Sequence, residues 1–287
     1  MTGPRKASVA TGLGLMAGAS LLVSGVDGAA KYLSEVYAPT FIAWARYAVA
    51  FCVVLPVALV LRDGPLLPRR DLALHGGRTI CLVLAMTLFF VSLQSTDLAT
   101  AIVAFFVGPV VALFLAVTLL GERLTGRILA SLACGFAGVI VALQPGQDPG
   151  AGVLWALAAG LCLSVYLVAT RLAGRERHPL RTLLFQCGFG ALLLTPFAML
   201  SGEVPQAGHG VVFLLMGGVS AGVHLMVIRA FQLAPASVLA PLVYLELLGA
   251  IVVGFVLFGD LPGPATLAGG ALITLSGLLA WRAARAA

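Results

Sequence analysis

Apolar residues form ten long runs along the chain, and short polar breaks separate them. About 20 apolar residues in an α-helix, at roughly 1.5 Å per residue, cross the roughly 30 Å hydrocarbon core of a bilayer. Pro, Gly and charged residues mark the breaks, and the loops are too short to form a soluble domain. We therefore predict an all-α integral membrane protein with ten transmembrane helices, over residues 9–33, 39–61, 72–95, 97–120, 126–144, 150–173, 179–200, 210–233, 235–258 and 264–282.

The composition excludes a soluble protein. Of the 287 residues, 61% are hydrophobic and 10% are charged, whereas soluble domains carry about 25% charged residues. The five cysteines are isolated within apolar runs, and the sequence has no Cys-x-x-Cys, His-Glu-x-x-His or Walker motif. We expect no disulfide framework, metal, cofactor or catalytic residue, and we assign the net charge of +6 to loops at a membrane surface, not to nucleic-acid binding.

Lys and Arg residues are concentrated in alternate loops. If the N-terminus is inside, the cytoplasmic segments contain Arg5, Lys6, Arg62, Arg69, Arg70, Arg123, Arg127, Arg171, Arg175, Arg177, Arg181, Arg229, Arg282 and Arg285. Cytoplasmic loops of membrane proteins carry an excess of basic residues. We therefore predict a multi-pass protein of the bacterial inner (plasma) membrane with both termini in the cytoplasm.

The chain also contains an internal repeat. Four residues of the first half recur 140 positions later with the same or similar chemistry: Ser24, Lys31, Pro39 and Pro56 correspond to Ser164, Arg171, Pro179 and Pro196. Each half has five predicted spans, an odd number, so the second copy enters the membrane from the opposite side. We predict two inverted five-helix repeats, residues 1–147 and 148–287, an arrangement that many secondary transporters use.

Two motifs resemble a known family. One begins at Ala99, has Pro109 ten positions later and ends in Gly-Glu-Arg-Leu at Leu124; the other is Pro235-Ala-Ser followed by Glu246. With ten spans in inverted halves, they resemble the EamA-type branch of the drug/metabolite transporter superfamily. The second half departs from the family pattern, with Leu247 after Glu246 in place of Pro and Gly259-Asp260 in place of Gly-Glu. The resemblance implies export of small metabolites, with amino acids, including aromatic ones, as the expected substrates.

One group of charges lies in the first two spans. Asp27 and Lys31 are four residues apart on one helix face, and Arg46 is expected at a similar depth in the second span. Buried charges are normally paired, so these residues either neutralise one another and hold two helices together, or bind the charged groups of a zwitterionic substrate. We keep both interpretations.

A second group lies in the eighth and ninth spans. His224 and Glu246 lie ten and twelve residues from the turn near Ala234, so both are predicted near the middle of the membrane. A carboxylate there costs about 2.5 kcal/mol or more unless a cavity or a partner solvates it. Gly108 is the counterpart of Glu246 in the first repeat, so the repeat itself does not require a carboxylate. Glu246 therefore either lines a cavity or forms a structural hydrogen bond with His224.

Aromatic and small polar residues within the spans complete the candidate substrate site. The alternative interpretation is that each of these residues faces lipid or a neighbouring helix. The full set of predicted substrate-binding residues is Glu246, His224, Tyr244, Lys31, Asp27, Trp44, Phe90, Thr100, Ser164 and Tyr166.

Gly218-Val-Ser-Ala-Gly222 matches the nucleophile elbow of serine hydrolases, but it lies inside a predicted helix. We therefore predict a secondary transporter, a monomer in the lipid bilayer, that exports small metabolites by alternating access through a cavity between its halves. The alternatives are a channel-like facilitator of small solutes and an intramembrane Ser hydrolase.

Overall fold

The computed structural model describes residues 4–61, 65–68, 71–92, 95, 101, 104–122, 124–143, 152–174, 178–258 and 263–286. Within these residues the chain is helical and contains no β-strand. The helices are α1 (Pro4–Leu33), α2 (Pro39–Val60), α3 (Leu72–Ser92), α4 (Val107–Leu120), α5 (Gly126–Leu143), α6 (Gly152–Ala173), α7 (Pro179–Ser201), α8 (Gly210–Leu233), the compound α9 and α10 (Pro264–Ala286). We call the end where α1 begins the inner end and the end where α1 finishes the outer end, following the predicted orientation.

The ninth element is not the single helix that the sequence predicts over 235–258. α9 consists of an α-helical turn (Ala236–Leu239), a 3-10 turn (Ala240–Tyr244), an α-helix (Leu245–Val253) and a π turn (Gly254–Phe258). Pro241 lies in the 3-10 turn. A proline has no N–H to donate, so one α-helical hydrogen bond is missing at this position. The predicted ninth span is present, and only its inner end departs from regular α geometry.

The other spans agree with the apolar pattern, within the described residues. Seven described helices are long and apolar enough to cross a membrane, and three shorter apolar stretches lie in α4, α5 and α10 (Val107–Leu120, Gly126–Val141 and Leu267–Ala280). The predicted start of the fourth span, residues 97–100, lies outside the described residues, and α4 begins after a turn at Phe106. The ten-helix fold is confirmed.

Local chemistry explains the ends of several helices. α2 and α7 both begin with proline after an extended residue, where the missing N–H costs nothing. α4 and α7 both end at a glycine with φ of 64°, Gly121 and Gly202. That left-handed conformation is easily adopted only by glycine, which closes the helix.

The helices pair across the two halves in a symmetric pattern. α1 packs on α8 and α9, α6 packs on α3 and α4, α2 packs on α7, and α5 packs on α10. Exchanging the halves, so that α1 replaces α6 and α3 replaces α8, reproduces the same set of pairs. This pairing is the one that an inverted repeat predicts. The predicted boundary at residues 147 and 148 lies outside the described residues and stays a prediction.

The α5–α10 interface shows this symmetry at the level of atoms. Ser131 Oγ donates to the Ser276 carbonyl oxygen at 2.7 Å, and Ser276 Oγ donates to the Ser131 carbonyl oxygen at 2.7 Å. At a second contact, a Cβ atom added to Gly138 would lie 2.8 Å from the Gly269 carbonyl oxygen. A shift of 138 positions converts Ser131 into Gly269 and Gly138 into Ser276, so the two contacts are symmetry mates. Small residues and hydroxyl groups let helices approach closely in a membrane.

Candidate substrate site

Arg46 lies at the centre of a buried polar cluster. It belongs to α2, in the outer half of the bundle, and only 6% of its surface is exposed. Its Nε donates to Ser220 Oγ at 2.7 Å, and its Nη2 lies 3.4 Å from His224 Nε2. Ser220 and His224 are one turn apart on α8 and therefore face the same direction. The third nitrogen, Nη1, lies 3.7 Å from the sulfur of Met86 on α3.

Two carboxylates complete the charge cluster. Asp27 on α1 and Glu246 on α9 both interact electrostatically with Arg46 and with each other. Both side chains are half-buried: protein surrounds them, yet part of their surface stays accessible. Ser24 Oγ donates to the backbone oxygen of Glu246 at 2.7 Å and fixes α1 against α9. The four helices α1, α2, α8 and α9 therefore bring Asp27, Arg46, His224 and Glu246 together.

The structure thus merges two groups that the sequence suggested separately. The group of Asp27 and Arg46 and the group of His224 and Glu246 form one cluster. Its two carboxylates and one guanidinium offer charges of both signs within one half-buried region, as a zwitterion requires. Lys31 lies one turn beyond Asp27, at the exposed end of α1.

The predicted aromatic residues occupy two different environments. Trp44 and Phe90 are half-buried, and Trp44 Nε1 donates to Thr195 Oγ1 at 3.1 Å. Tyr244 is fully buried against Phe106, whose backbone oxygen lies 3.4 Å from the Tyr244 hydroxyl. Tyr244 therefore has the surroundings of a packing residue, whereas Trp44 and Phe90 keep accessible surface.

The remaining predicted site residues lie apart from the charge cluster or outside the described residues. Ser164 is buried, and its hydroxyl donates to the Leu161 carbonyl oxygen at 2.7 Å within α6. Tyr166 is buried beneath Arg78. Thr100 lies outside the described residues. A role in substrate binding stays a prediction for all of the proposed residues.

A second polar cluster was missed by the sequence reasoning. Arg78 on α3 is 1% exposed, its Nη2 donates to Gln186 Oε1 on α7, and its Cζ lies 5.5 Å from the centre of the Tyr166 ring on α6. The signal in the sequence was an arginine within an apolar run. Arg78 is not among the predicted site residues, because its neighbours come from other helices.

Comparison with known proteins identifies the class of this molecule. The model of the EamA-like transporter family matches the chain twice, over residues 10–144 and over residues 150–282.

The chain belongs to the EamA-like transporter family.

The alignments with relatives of this EamA-like transporter cover most of each chain. It is 29% identical over 272 residues to an uncharacterized transporter of Archaeoglobus fulgidus, covering 93% of each chain. It is 24% identical over 256 residues to the S-adenosylmethionine uptake transporter of Rickettsia prowazekii, covering 88% of this chain and 87% of that one. It is 28% identical over 218 residues to the riboflavin transporter of Rhizobium johnstonii, covering 72% and 70%. A protein of known crystal structure is 20% identical and superposes with a TM-score of 0.81 over 95% of this chain and 97% of that one. This similarity shows a shared fold and nothing about function.

These comparisons confirm part of the functional expectation. The family and its named relatives confirm that the protein is a membrane transporter and not an enzyme. The narrower expectation of an amino-acid exporter is not supported, because the relatives with a named substrate are called S-adenosylmethionine uptake transporters and a riboflavin transporter.

The two motifs of this EamA-like transporter contact each other. Glu122, from the Gly-Glu motif after α4, accepts hydrogen bonds from the backbone nitrogens of Ala236 at 3.0 Å and Ser237 at 2.8 Å. Those residues begin α9, where unpaired N–H groups favour a negative charge. Arg171 Nε lies 3.5 Å from the same carboxylate and its Nη1 donates to the Phe231 oxygen at 2.7 Å. The motifs therefore join the first repeat to the second at the inner end.

The outer end has a similar carboxylate. Both oxygens of Glu203, after α7, accept from the backbone nitrogen of Ala38, at 2.8 and 3.0 Å. Ala38 precedes the first residue of α2, so this contact also joins the two repeats. Beside it, the Tyr37 hydroxyl lies 3.0 Å from His209 Nδ1 and accepts from the Gln206 nitrogen at 2.9 Å. In the described part of the chain, each end of the bundle thus has a carboxylate that binds the start of a helix from the opposite repeat.

Proposed function

We propose that this EamA-like transporter carries a small zwitterionic metabolite that contains an α-amino-acid group. The observation that carries the proposal is that Asp27 and Glu246, both half-buried, interact electrostatically with the Arg46 guanidinium. Amino acids and S-adenosylmethionine both have this group. The name of the Rickettsia prowazekii relative supports the second candidate.

The cluster has a complementary group for each charge of such a substrate. The guanidinium of Arg46 matches a carboxylate. Asp27 and Glu246 match an ammonium group, and two acidic side chains in one place also suit a sulfonium. Trp44 and Phe90 offer half-buried aromatic surface for an apolar side chain or a base.

The proposed mechanism is alternating access between two repeats, residues 1–147 and 148–287. An uncoupled carrier moves its substrate in either direction, so the gradient decides between export and uptake. We place the protein in the bacterial inner membrane as a monomer, with both termini in the cytoplasm. The concentration of Arg and Lys in alternate loops supports that orientation.

Uptake by purified protein in liposomes tests this function. We expect saturable uptake of labelled methionine or S-adenosylmethionine, with counterflow when the vesicles are preloaded. Arg46→Gln should lower uptake by about tenfold or more, since about 1.4 kcal/mol of lost binding corresponds to that factor. Arg46→Lys keeps the positive charge but lacks the planar set of guanidinium N–H donors, so it should retain part of the activity.

The matched control is Arg229→Gln, because Arg229 is exposed and its Nη1 donates to Gln232 in its own helix. Equal uptake by the Arg46→Gln and Arg229→Gln proteins would contradict the proposal. Uptake without saturation or counterflow would favour the channel-like facilitator. Uptake of riboflavin with no uptake of amino acids or S-adenosylmethionine would exclude a zwitterionic substrate.

A further inference from the structure

Arg78 is a buried cation without an anionic partner among the described residues. The side chain is 1% exposed and lies six residues after the start of α3, in the inner half of the bundle. The groups that interact electrostatically with it are Tyr166, Tyr47 and Cys187, and none of them is a carboxylate. An unpaired charge in a membrane interior is unfavourable, because neither water nor a counter-charge solvates it.

The groups around Arg78 are rich in hydrogen-bond donors. Its Nε and Nη1, the Tyr47 hydroxyl and the Gln186 amide nitrogen have no hydrogen-bond partner of normal geometry in the described part of the chain. The same holds for the hydroxyl of Thr182, which lies one turn before Gln186 on α7. All of these side chains are at most 3% exposed. Buried polar groups nearly always have partners, so such a cluster lacks an acceptor.

The donors come from different helices and surround one guanidinium. Tyr47 is on α2, Arg78 on α3, Tyr166 on α6 and Gln186 on α7. Tyr47 and His224 interact electrostatically with both Arg46 and Arg78, so the two arginines flank the same residues. The Arg78 cluster is therefore adjacent to the proposed substrate site, on its inner side.

We propose that Arg78, Tyr47, Tyr166 and Gln186 form a binding site for a carboxylate group. A carboxylate has the acceptor atoms that these donors lack, and it neutralises the guanidinium through charge-assisted hydrogen bonds. The carboxylate comes either from the transported zwitterion, as it passes from Arg46 towards the inner end, or from a separate small acid. The first source rests on the proposed function, and the second does not.

Thermal unfolding of the full-length protein in lipid nanodiscs tests the site itself. The probe is sodium acetate, compared with acetamide at equal concentration, while a bulky sulfonate buffer keeps the ionic strength constant. We expect acetate to raise the Tm of the wild type and of Arg229→Gln by about 3 °C. Arg78→Gln should show no acetate effect, and its Tm without acetate should equal or exceed that of the wild type, because an unpaired charge has been removed.

Other results overturn the site. The proposal fails if acetate leaves the wild-type Tm unchanged, or if acetate stabilises Arg78→Gln equally. A lower Tm of Arg78→Gln without acetate, together with an equal acetate effect in both proteins, would show that Arg78 serves only to hold α3 to α7. Tyr47→Phe is the second variant, should Arg78→Gln not be recovered. It removes one donor and keeps the ring, and we expect about tenfold weaker acetate binding.

A transport measurement distinguishes the two sources. Liposomes containing wild type or Arg78→Gln are compared for uptake of methionine and of methioninamide, which lacks the carboxylate. Loss of the preference for methionine in Arg78→Gln assigns the site to the substrate carboxylate. An unchanged preference, together with the acetate effect on the wild-type Tm, assigns it to a separate acid. If neither compound is transported, and S-adenosylmethionine is not transported either, the proposed function fails while the acetate result still decides the site.

Discussion

Glu246 and its counterpart Gly108 show how one repeat gained a charged residue. A Cβ atom added to Gly108 would lie 2.8 Å from the Gly160 carbonyl oxygen, because α4 packs directly on α6 there. In the second repeat, Gly249 provides the close approach, and its added Cβ would lie 2.6 Å from the Leu21 oxygen. The tight contact is therefore displaced by about one turn, which leaves room for a side chain at position 246.

This difference predicts that Gly108→Ala destabilises the protein. The new methyl group would collide with backbone atoms, which cannot move aside as a flexible side chain can, and we expect a loss of about 1–3 kcal/mol. The control is Gly25→Ala in α1, because nothing lies within 4 Å of the Cβ position there. Thermal unfolding in detergent compares the two variants, and equal Tm values would contradict this account of the α4–α6 contact.

The two carboxylates of the charge cluster should act together. Asp27→Asn and Glu246→Gln each remove one of the negative charges that interact with Arg46. We expect each change to lower the uptake of S-adenosylmethionine by about tenfold, with a coupling of roughly 0.5–3 kcal/mol between them. Uptake rates of the two single variants and the double variant measure the coupling, and Glu35→Gln at an exposed position is the control. If the fold-losses in uptake of the two single variants multiply to give the fold-loss of the double variant, the two carboxylates do not act in one shared site.

At the scale of helices, the Gly-Glu motif acts by stabilising the start of α9. The Glu122 carboxylate accepts from two backbone nitrogens of an element that is interrupted by a 3-10 turn a few residues later. A short helical turn cannot supply its own partners for its first N–H groups. The carboxylate therefore holds the part of α9 that precedes Glu246.

Glu122→Ala should lower the free energy of unfolding by about 0.5–2 kcal/mol, the usual range for loss of a helix cap. Glu122→Gln should lose less, because its amide keeps one acceptor oxygen. Chemical denaturation in detergent measures both variants against Glu35→Ala, which removes an exposed carboxylate. If Glu122→Ala and Glu35→Ala had the same small effect, the cap at α9 would contribute nothing to stability.

The helices could be predicted from the sequence, but their neighbours could not. Lipid requires each span to be apolar over a fixed length and to satisfy its own backbone, so the apolar pattern predicts the ten helices. It contains no information on which helix faces which. For that reason Asp27 and Glu246, on α1 and α9, were assigned to separate groups, and Arg78 was overlooked. Proline alone does not predict the irregular inner end of α9, because Pro56 and Pro196 lie inside α2 and α7 without ending either helix.

At the scale of the whole molecule, the carboxylates at the two ends oppose each other. Glu122 joins the repeats at the inner end and Glu203 joins them at the outer end. A carrier that exposes its site alternately must break one set of end contacts while it keeps the other. The two carboxylates are therefore expected to bias the same conformational equilibrium in opposite directions.

Spin labels at exposed positions near the two ends test this opposition. One pair, at Ser34 and Val204, reports the outer end; a second pair, at Thr125 and Arg229, reports the inner end. We expect Glu122→Ala to lengthen the distance between the inner labels, and Glu203→Ala to lengthen the distance between the outer labels. Each variant is compared with the labelled protein that has both glutamates. The reason is that each substitution weakens the contacts that close one end. Identical distance distributions in all three proteins would show that neither carboxylate controls the opening of an end.

The paired contacts between α5 and α10 bear on how such a molecule arose. Because the Ser131–Ser276 and Gly138–Gly269 contacts are related by exchange of the halves, the surface on α5 is complementary to its own copy. In an antiparallel pair of identical five-helix chains, the same positions would meet, with Ser131 of one chain against Gly138 of the other at both contacts. The present protein differs from such a pair because its halves have separate sequences. Each half can therefore change alone, and a carboxylate at Glu246 can correspond to a glycine at Gly108.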